Sequence, residues 1–323
     1  MLAYLLRRIL YALPILIGVN LLTFTLFFVV NTPDDMARMQ LGIKRVTQDS
    51  IEKWKQQRGY DKPLLLNSKA SGIEKITATI FWQKSASMFV LDFGYSDDGR
   101  SISREIATRM GPSLAIALPT FLIGLIVYIS AALLMTLFRA TALDIAGVAL
   151  CVLLMSVSGL FYIIGAQFLV SKLWHLAPIS GYEAGSFRFV VLPIAIGIVS
   201  GVGGSSRWYR TIFLEETGKD YVRTARAKGL SELQVLFSHV LKNAMIPILT
   251  GVVVVIPLLF MGSLLTESFF GIPGLGSYTI DAINAQDFSV VRAMVFLGSA
   301  LYIAGLILTD ISYTMVDPRV RLS

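Results

Sequence analysis

The sequence predicts an all-α fold: a polytopic membrane bundle of six transmembrane helices, with an extracytoplasmic insertion after helix 1 and a cytoplasmic two-helix loop between helices 4 and 5. Three observations predict it. Of 323 residues, 55% are hydrophobic and only 15% are charged, whereas a soluble domain carries about 25% charged residues. The apolar residues gather into stretches of bilayer length, which takes ~20 residues of helix. The Lys and Arg residues lie between those stretches, so the net charge of +7 reads as membrane topology and not as a nucleic-acid footprint.

The first stretch, residues 9–30, follows Arg7-Arg8 and superficially resembles a secretion signal. It exceeds the roughly 7–15 residues of a cleavable apolar core, and Asn31-Thr32-Pro33 offers no small-x-small site, so it reads as an uncleaved span. The segment 32–109 mixes both charge signs. Within it residues 50–58 favour a helix, with Ile51 and Trp54 on one side, Asp49 as the cap and Gly59 as the stop. It is expected to be a small folded excursion.

The remaining spans fall at 114–138, 143–169, 189–204, 246–265 and 290–314. The fourth is the shortest, and with no breaker in 205–210 it is expected to run on into water, with Trp208 and Tyr209 at headgroup level. Orientation follows from short-loop basic residues. Arg7, Arg8, Arg139, the segment 207–242, and Arg319 with Arg321 all fall on one side, the cytoplasm, which places both termini inside. The long insertion is exempt because long loops translocate regardless of charge. Cys151 sits in an apolar run, so no intrachain disulfide and no thiolate cluster is expected. The division expected is 1–111 for the first helix plus the insertion, 112–316 for the remaining bundle and 317–323 for a cytoplasmic tail.

The inner loop carries the most information. Residues 220–228 favour a short helix, and Gly229 supplies the left-handed residue that commonly closes one. Ser231 and Gln234 form a capping-box signature for a second helix, in which Leu233, Leu236, Phe237, Val240 and Leu241 would share an apolar face. Small side chains at Thr224, Ala225 and Ala227 would let another protein approach the backbone. From physics alone two readings stay open, a docking element and a connector lying on the bilayer. A DNA-binding helix-turn-helix is disfavoured by tethering between two spans.

The stretch Asp220-Tyr221-Val222-Arg223-Thr224-Ala225-Arg226-Ala227-Lys228-Gly229-Leu230-Ser231 resembles the EAA loop of ABC importer permeases, in the version of the dipeptide, oligopeptide and nickel group. Arg223, Thr224 and Ala225 stand where the Glu-Ala-Ala triplet would, so its glutamate is absent. Tyr4 to Arg8, Gly59 to Leu64, Asp92 to Ser96, Asn243 to Pro247, Thr266 to Gly276 and Val316 to Arg319 are similar to further family segments, in family order. Thr32-Pro33-Asp34-Asp35 departs from the family's Pro-Gly-Asp-Pro turn.

The resemblance implies a permease subunit in the bacterial inner membrane, forming half of a peptide translocation pathway with a homologous second permease in a heteromeric complex. It also implies an outer substrate-binding protein and cytoplasmic ATPase subunits docking on Tyr221 to Ser231. No G-x-x-x-x-G-K-[ST] loop occurs, since Phe213 stands where the first glycine before Gly218-Lys219 would be. ATP and magnesium would therefore sit on the partner, and no cofactor, metal or catalytic activity is expected of this chain. The cavity would be walled by spans two, three and five, with bends at Pro119, Pro193, Pro247 and Pro257.

Glu267, with Phe269, Phe270, Pro273 and Gly274, fits an outer gate, the alternative being an interfacial carboxylate in water. Asp310 is expected to pair near Arg319 and Arg321, Asp144 and Arg139 to be solvated around an inner turn, and His175 to be a lone interfacial histidine. An ion-coupled carrier would favour mid-membrane carboxylates and internal pseudo-symmetry, and neither is evident. A membrane enzyme lacks its catalytic constellation.

Overall fold

The computed structural model describes residues 2–42, 46–68 and 70–316, and among these residues it is helical without strands. Five helices are long and apolar enough to cross a membrane, and a bent pair makes a sixth span if it is taken as one. The C-terminal motif from Asp317, Arg319 and Arg321, and the tail 317–323, lie outside the described residues. The chain divides into two compact units.

The first unit holds the chain up to Arg109 together with Tyr278–Ile303. Helix α1 (Leu2–Phe24) runs into a π-helical turn, Thr25–Val30. Helix α2 (Pro33–Leu41) then starts on a full capping box, Thr32 with Asp35, with Pro33 in the first turn. Pro33 costs nothing there because its missing N–H would have had no helical partner. The unusual Thr-Pro-Asp-Asp sequence is thus a helix start. Helix α3 (Gln48–Arg58) begins earlier than expected. Its cap is Thr47, whose hydroxyl accepts from Ser50 N–H, and not Asp49, while Gly59 closes it at φ 70°.

Ile51 and Trp54 pack with Phe24, Phe28, Met36, Tyr60 and Ile80 in one apolar core. Within it the Phe28 and Trp54 rings lie 5.2 and 5.6 Å from that of Tyr60, a spacing favoured for edge-on aromatic pairs. Short helices α4 (Glu74–Thr77) and α5 (Ile80–Lys84) follow. Buried Asn20 donates to the Ser85 carbonyl at 2.8 Å, fastening the segment after α5 to α1.

The second unit holds Met110–Ser277 and the chain from Ala304. Helix α6 (Ile102–Leu137) is the second span. The third is broken: α7 (Ala142–Ser156) and α8 (Gly159–Ala166, continued to Leu173) meet at 86°. Val157 and Ser158 are extended there, and Tyr162 Oη donates to the Leu154 carbonyl at 2.7 Å, satisfying a backbone group freed at the break.

Helix α9 (Phe187–Thr217) continues past the apolar stretch as expected. Trp208 is exposed, whereas Tyr209 is buried in the protein core. At Gly203 an added Cβ would run into the Cys151 carbonyl, so glycine permits α7 and α9 to touch. Helices α10 (Asp220–Ala227) and α11 (Glu232–Val235) form the inner loop, and α12 (Lys242–Val255) carries the fifth span. A 3-10 turn from Ile256, opened by Pro257, breaks at Gly262 with φ 67°. Helices α13 (Leu264–Phe270), α14 (Leu275–Asn284) and α15 (Phe288–Val316) complete the chain.

Asp144 corrects an expectation. It is 5% exposed, not solvated. Both its oxygens accept from the Arg210 guanidinium at 2.9 and 2.8 Å, and Oδ2 also accepts from Ala140 N–H at 3.0 Å. The reason is α9, whose extension past the apolar stretch brings Arg210 over the start of α7.

Candidate functional site

The inner loop is a helix, a glycine turn and a capped second helix. Gly229 sits at φ 81°, and Ser231 and Gln234 make the reciprocal capping box. Helix α10 is pinned from below. Val222 and Ala225 are buried with Phe213, Val235, Leu236 and Val240 in one core cluster. Glu216, at the end of α9, accepts from both Tyr221 Oη and Lys219 Nζ. Burial first, and the Glu216 hydrogen bond second, push the Tyr221 hydroxyl above its ordinary range.

The other side of α10 is open. Arg223, Thr224, Arg226, Ala227 and Lys228 are exposed, as are Gly229, Leu230 and Ser231. Arg226 makes a two-point ion pair with Glu232 at 2.8 and 3.0 Å, bridging the turn, whereas among the described residues Arg223 reaches only Asp220, at 3.5 Å. Ala225 is therefore an anchor, and Thr224 and Ala227 are the small residues on the outer face.

The apolar face of the second helix differs from the expected one. Val235, Leu236 and Val240 are buried, while Leu233 and Phe237 are each 54% exposed. Residues Leu236–Leu241 are π-helical, and i→i+5 winding rotates the side chains away from the 3.6-residue phase on which that expectation rests.

A cavity of about 520 Å³ opens among α6, α9, α12 and the Gly262–Glu267 segment. The fourth span, and not the third, supplies its remaining wall. Ser113, Thr120, Tyr128, Ser200 and Ser205 are among the residues of its wall, which is mainly apolar, and Glu267 is the one charged residue among the described residues of that lining. Pro119, Pro193 and Pro247 lie inside helices around it.

Glu267 is 1% exposed, which excludes a water-bathed interfacial carboxylate. Its Oε2 accepts from the N–H groups of Gly276 at 2.7 Å and Ser277 at 3.1 Å, in the first turn of α14, and its Oε1 from Ser263 N–H at 3.2 Å. Ser113 accepts from Leu275 N–H at 2.8 Å and itself hydrogen-bonds the carboxylate. The positive end of a helix thus holds the anion. A Cβ at Gly262 or at Gly274 would collide with that carboxylate, so both glycines leave it room.

Of the neighbouring expected gate residues, Phe270 is buried, Phe269 and Pro273 are exposed, and Gly274 lies against Glu267. His175 is exposed, its ring nitrogen 3.2 Å from the Leu173 carbonyl.

Comparison with known proteins places matches along the whole chain. A family described as the binding-protein-dependent transport system inner membrane component matches residues 114–322. A companion family, the N-terminal part of such membrane components, matches residues 1–115. A Brucella abortus protein named for a peptide transport system permease is 32% identical over 329 residues, covering 99% of each chain. The dipeptide transport system permease protein of Escherichia coli is 29% identical over 356 residues, again covering 99% of both. The oligopeptide transport system permease protein of Bacillus subtilis is 27% identical over 331 residues, covering 99% of this chain and 100% of its own.

Proposed function

Because the chain belongs to the family of binding-protein-dependent transport system inner membrane components, and is therefore a multi-pass permease subunit of an ABC importer and not an enzyme, we propose that its cargo is peptide and that its inner loop is where a separate ATPase docks. The peptide reading is supported by the names of its relatives and by a cavity whose mainly apolar wall also carries Ser, Thr and Tyr residues. Such a wall would form half of a pathway completed by a homologous second permease, with an outer binding protein delivering the peptide. ATP and magnesium would be held by the ATPase. Both termini would lie in the cytoplasm, with residues 1–111 as the first span and outer insertion, 112–316 as the permease bundle and 317–323 as an inner tail.

The observation that carries the coupling proposal is the two-sided character of α10. Val222 and Ala225 root it in the core, while Arg223, Thr224, Ala227 and Lys228 present an uncovered face. Closure of two ATPase subunits against that face would move α9 and α12, which share the core cluster, and so bias the cavity between access states. Coupling of this kind requires contacts that differ between the two states. Glu267 to Gly274 would brace the outer end of the fifth span as a gate hinge.

The test is reconstitution in liposomes with the ATPase and the second permease. Peptide-stimulated ATP hydrolysis is expected with the native chain and should be lost in Ala227→Glu while complex assembly in the membrane persists. Transport by the chain without an ATPase, driven by a proton or sodium gradient, would overturn the proposal.

A further inference from the structure

The first unit contains a second cavity, of about 440 Å³, whose walls are polar and whose cations are left over. Arg292 is 2% exposed. Its guanidinium stacks 4.7 Å from the centre of the Phe28 ring, and one nitrogen, Nη2, donates to the Lys84 carbonyl at 2.6 Å and to Ser85 Oγ at 3.3 Å. Among the described residues its Nε and Nη1 make no hydrogen bond and no carboxylate pairs with it. A buried charge in that condition is costly unless something compensates it.

Lys84 lines the same space. Its ammonium lies 5.6 Å from the Tyr60 ring centre and forms no ion pair among the described residues. The acidic residues nearby do not balance the account: Asp97 is engaged by Arg58 at 2.9 Å and by Gln40, and Asp92 accepts from Gly94 N–H at 3.1 Å on the exposed rim. Gln57, Ser87 and Ser289 add neutral hydrogen-bonding groups.

We propose that this cavity binds a small organic carboxylate, held between the Lys84 ammonium and the unused edge of the Arg292 guanidinium. The planar fork of an arginine matches a carboxylate's two oxygens, and a lysine beside it adds a point charge. Burial, and then the charges of Arg292, Lys62 and Arg58, depress the Lys84 pKa below its ordinary range. A bound anion relieves that penalty. The residues of this site are none of those that line the 520 Å³ cavity, and the proposal does not depend on the cargo of the importer.

The experiment is isothermal titration of the full-length chain, purified in detergent in Tris buffer of low ionic strength, with succinate and with its neutral counterpart succinamide. Succinate is expected to bind and succinamide not to. Lys84→Gln and Arg292→Gln are each expected to weaken succinate about tenfold or more, the loss of one charged hydrogen bond. Arg292 also supports the backbone, so a melting curve accompanies each variant, and if Arg292→Gln fails to fold, Lys84→Gln decides. Equal heats from succinate and succinamide, or an affinity unchanged in folded Lys84→Gln, would overturn the site.

Discussion

Replacing Glu267 with glutamine keeps its outline and removes its charge. The glutamine oxygen can take the place of Oε2 and keep the amides of Gly276 and Ser277, 2.7 and 3.1 Å away. Its NH₂ then faces the Ser263 N–H, which now lies 3.2 Å from Oε1, donor against donor. One charge-assisted hydrogen bond is lost, worth about 1.5–3 kcal/mol, and two fall to neutral strength, roughly 0.5–1 kcal/mol each. The sum is about 2.5–5 kcal/mol, with little relief from solvent at a side chain 1% exposed.

The assay is thermal unfolding in detergent by circular dichroism, with limited proteolysis of the segment after Met261. A melting midpoint several degrees below wild type is expected, with earlier cleavage. Gly274→Ala should resemble it, because the new methyl meets the same carboxylate, and should cost less in a Glu267→Ala background, as coupled neighbours do. A Glu267→Gln protein that melts with wild type would refute the bracing argument. Loss of transport at unchanged stability would instead make the carboxylate a moving part.

Three further outcomes follow from the same geometry. Ala225→Glu buries a charge in the core beneath α10 and is expected to destabilise the protein by about 3 kcal/mol or more, whereas Ala227→Glu should melt like wild type and fail only in ATPase stimulation; similar melting of the two would mean the anchoring face is misassigned. Breaking the Asp144–Arg210 pair with Asp144→Asn or Arg210→Met should each cost about 3 kcal/mol, and the double variant should cost less than the sum; additive losses in denaturation would show the groups do not interact. For Lys84, the folded pKa lies below the ordinary 10.5, so between those values the unfolded chain binds more protons and stability rises with pH. Lys84→Met should be more stable than wild type near neutrality, with the difference shrinking toward alkaline pH. A difference that stays flat across that range would count against the shift.

What could be read in the sequence was what is encoded within a few residues. Gly229 and the Ser231/Gln234 box lie next to the backbone groups they satisfy, and the apolar runs carry their own evidence of span length. Even local signals can mislead: Thr47 caps α3, two positions ahead of Asp49, the residue expected to do so. The π turn at Leu236–Leu241 defeated the helical phase because winding is decided by packing, which leaves no trace in side-chain spacing. Asp144 and Arg210 stand 66 positions apart, and Glu267 is enclosed by Ser113 and the start of α14. Asp144 looked solvent-facing, and Glu267 stayed open between a gate element and a wetted interface, because what each meets is set by how the helices pack. The unpaired cations around Tyr60 were invisible for the same reason.

Helix α10 has one more consequence, a mechanical one. With Val222 and Ala225 seated among residues of α9 and of the π turn leading into α12, and with Glu216 clasping Tyr221 and Lys219, the loop has almost no slack. A load applied to its outer face would then reach α9 and α12 through these contacts, as through a strut. Exchanging this loop between importers would then require moving its two rooted residues together with the exposed ones. If the ATPase docks as proposed, a graft that matched only the outer face is expected to bind it without stimulating transport.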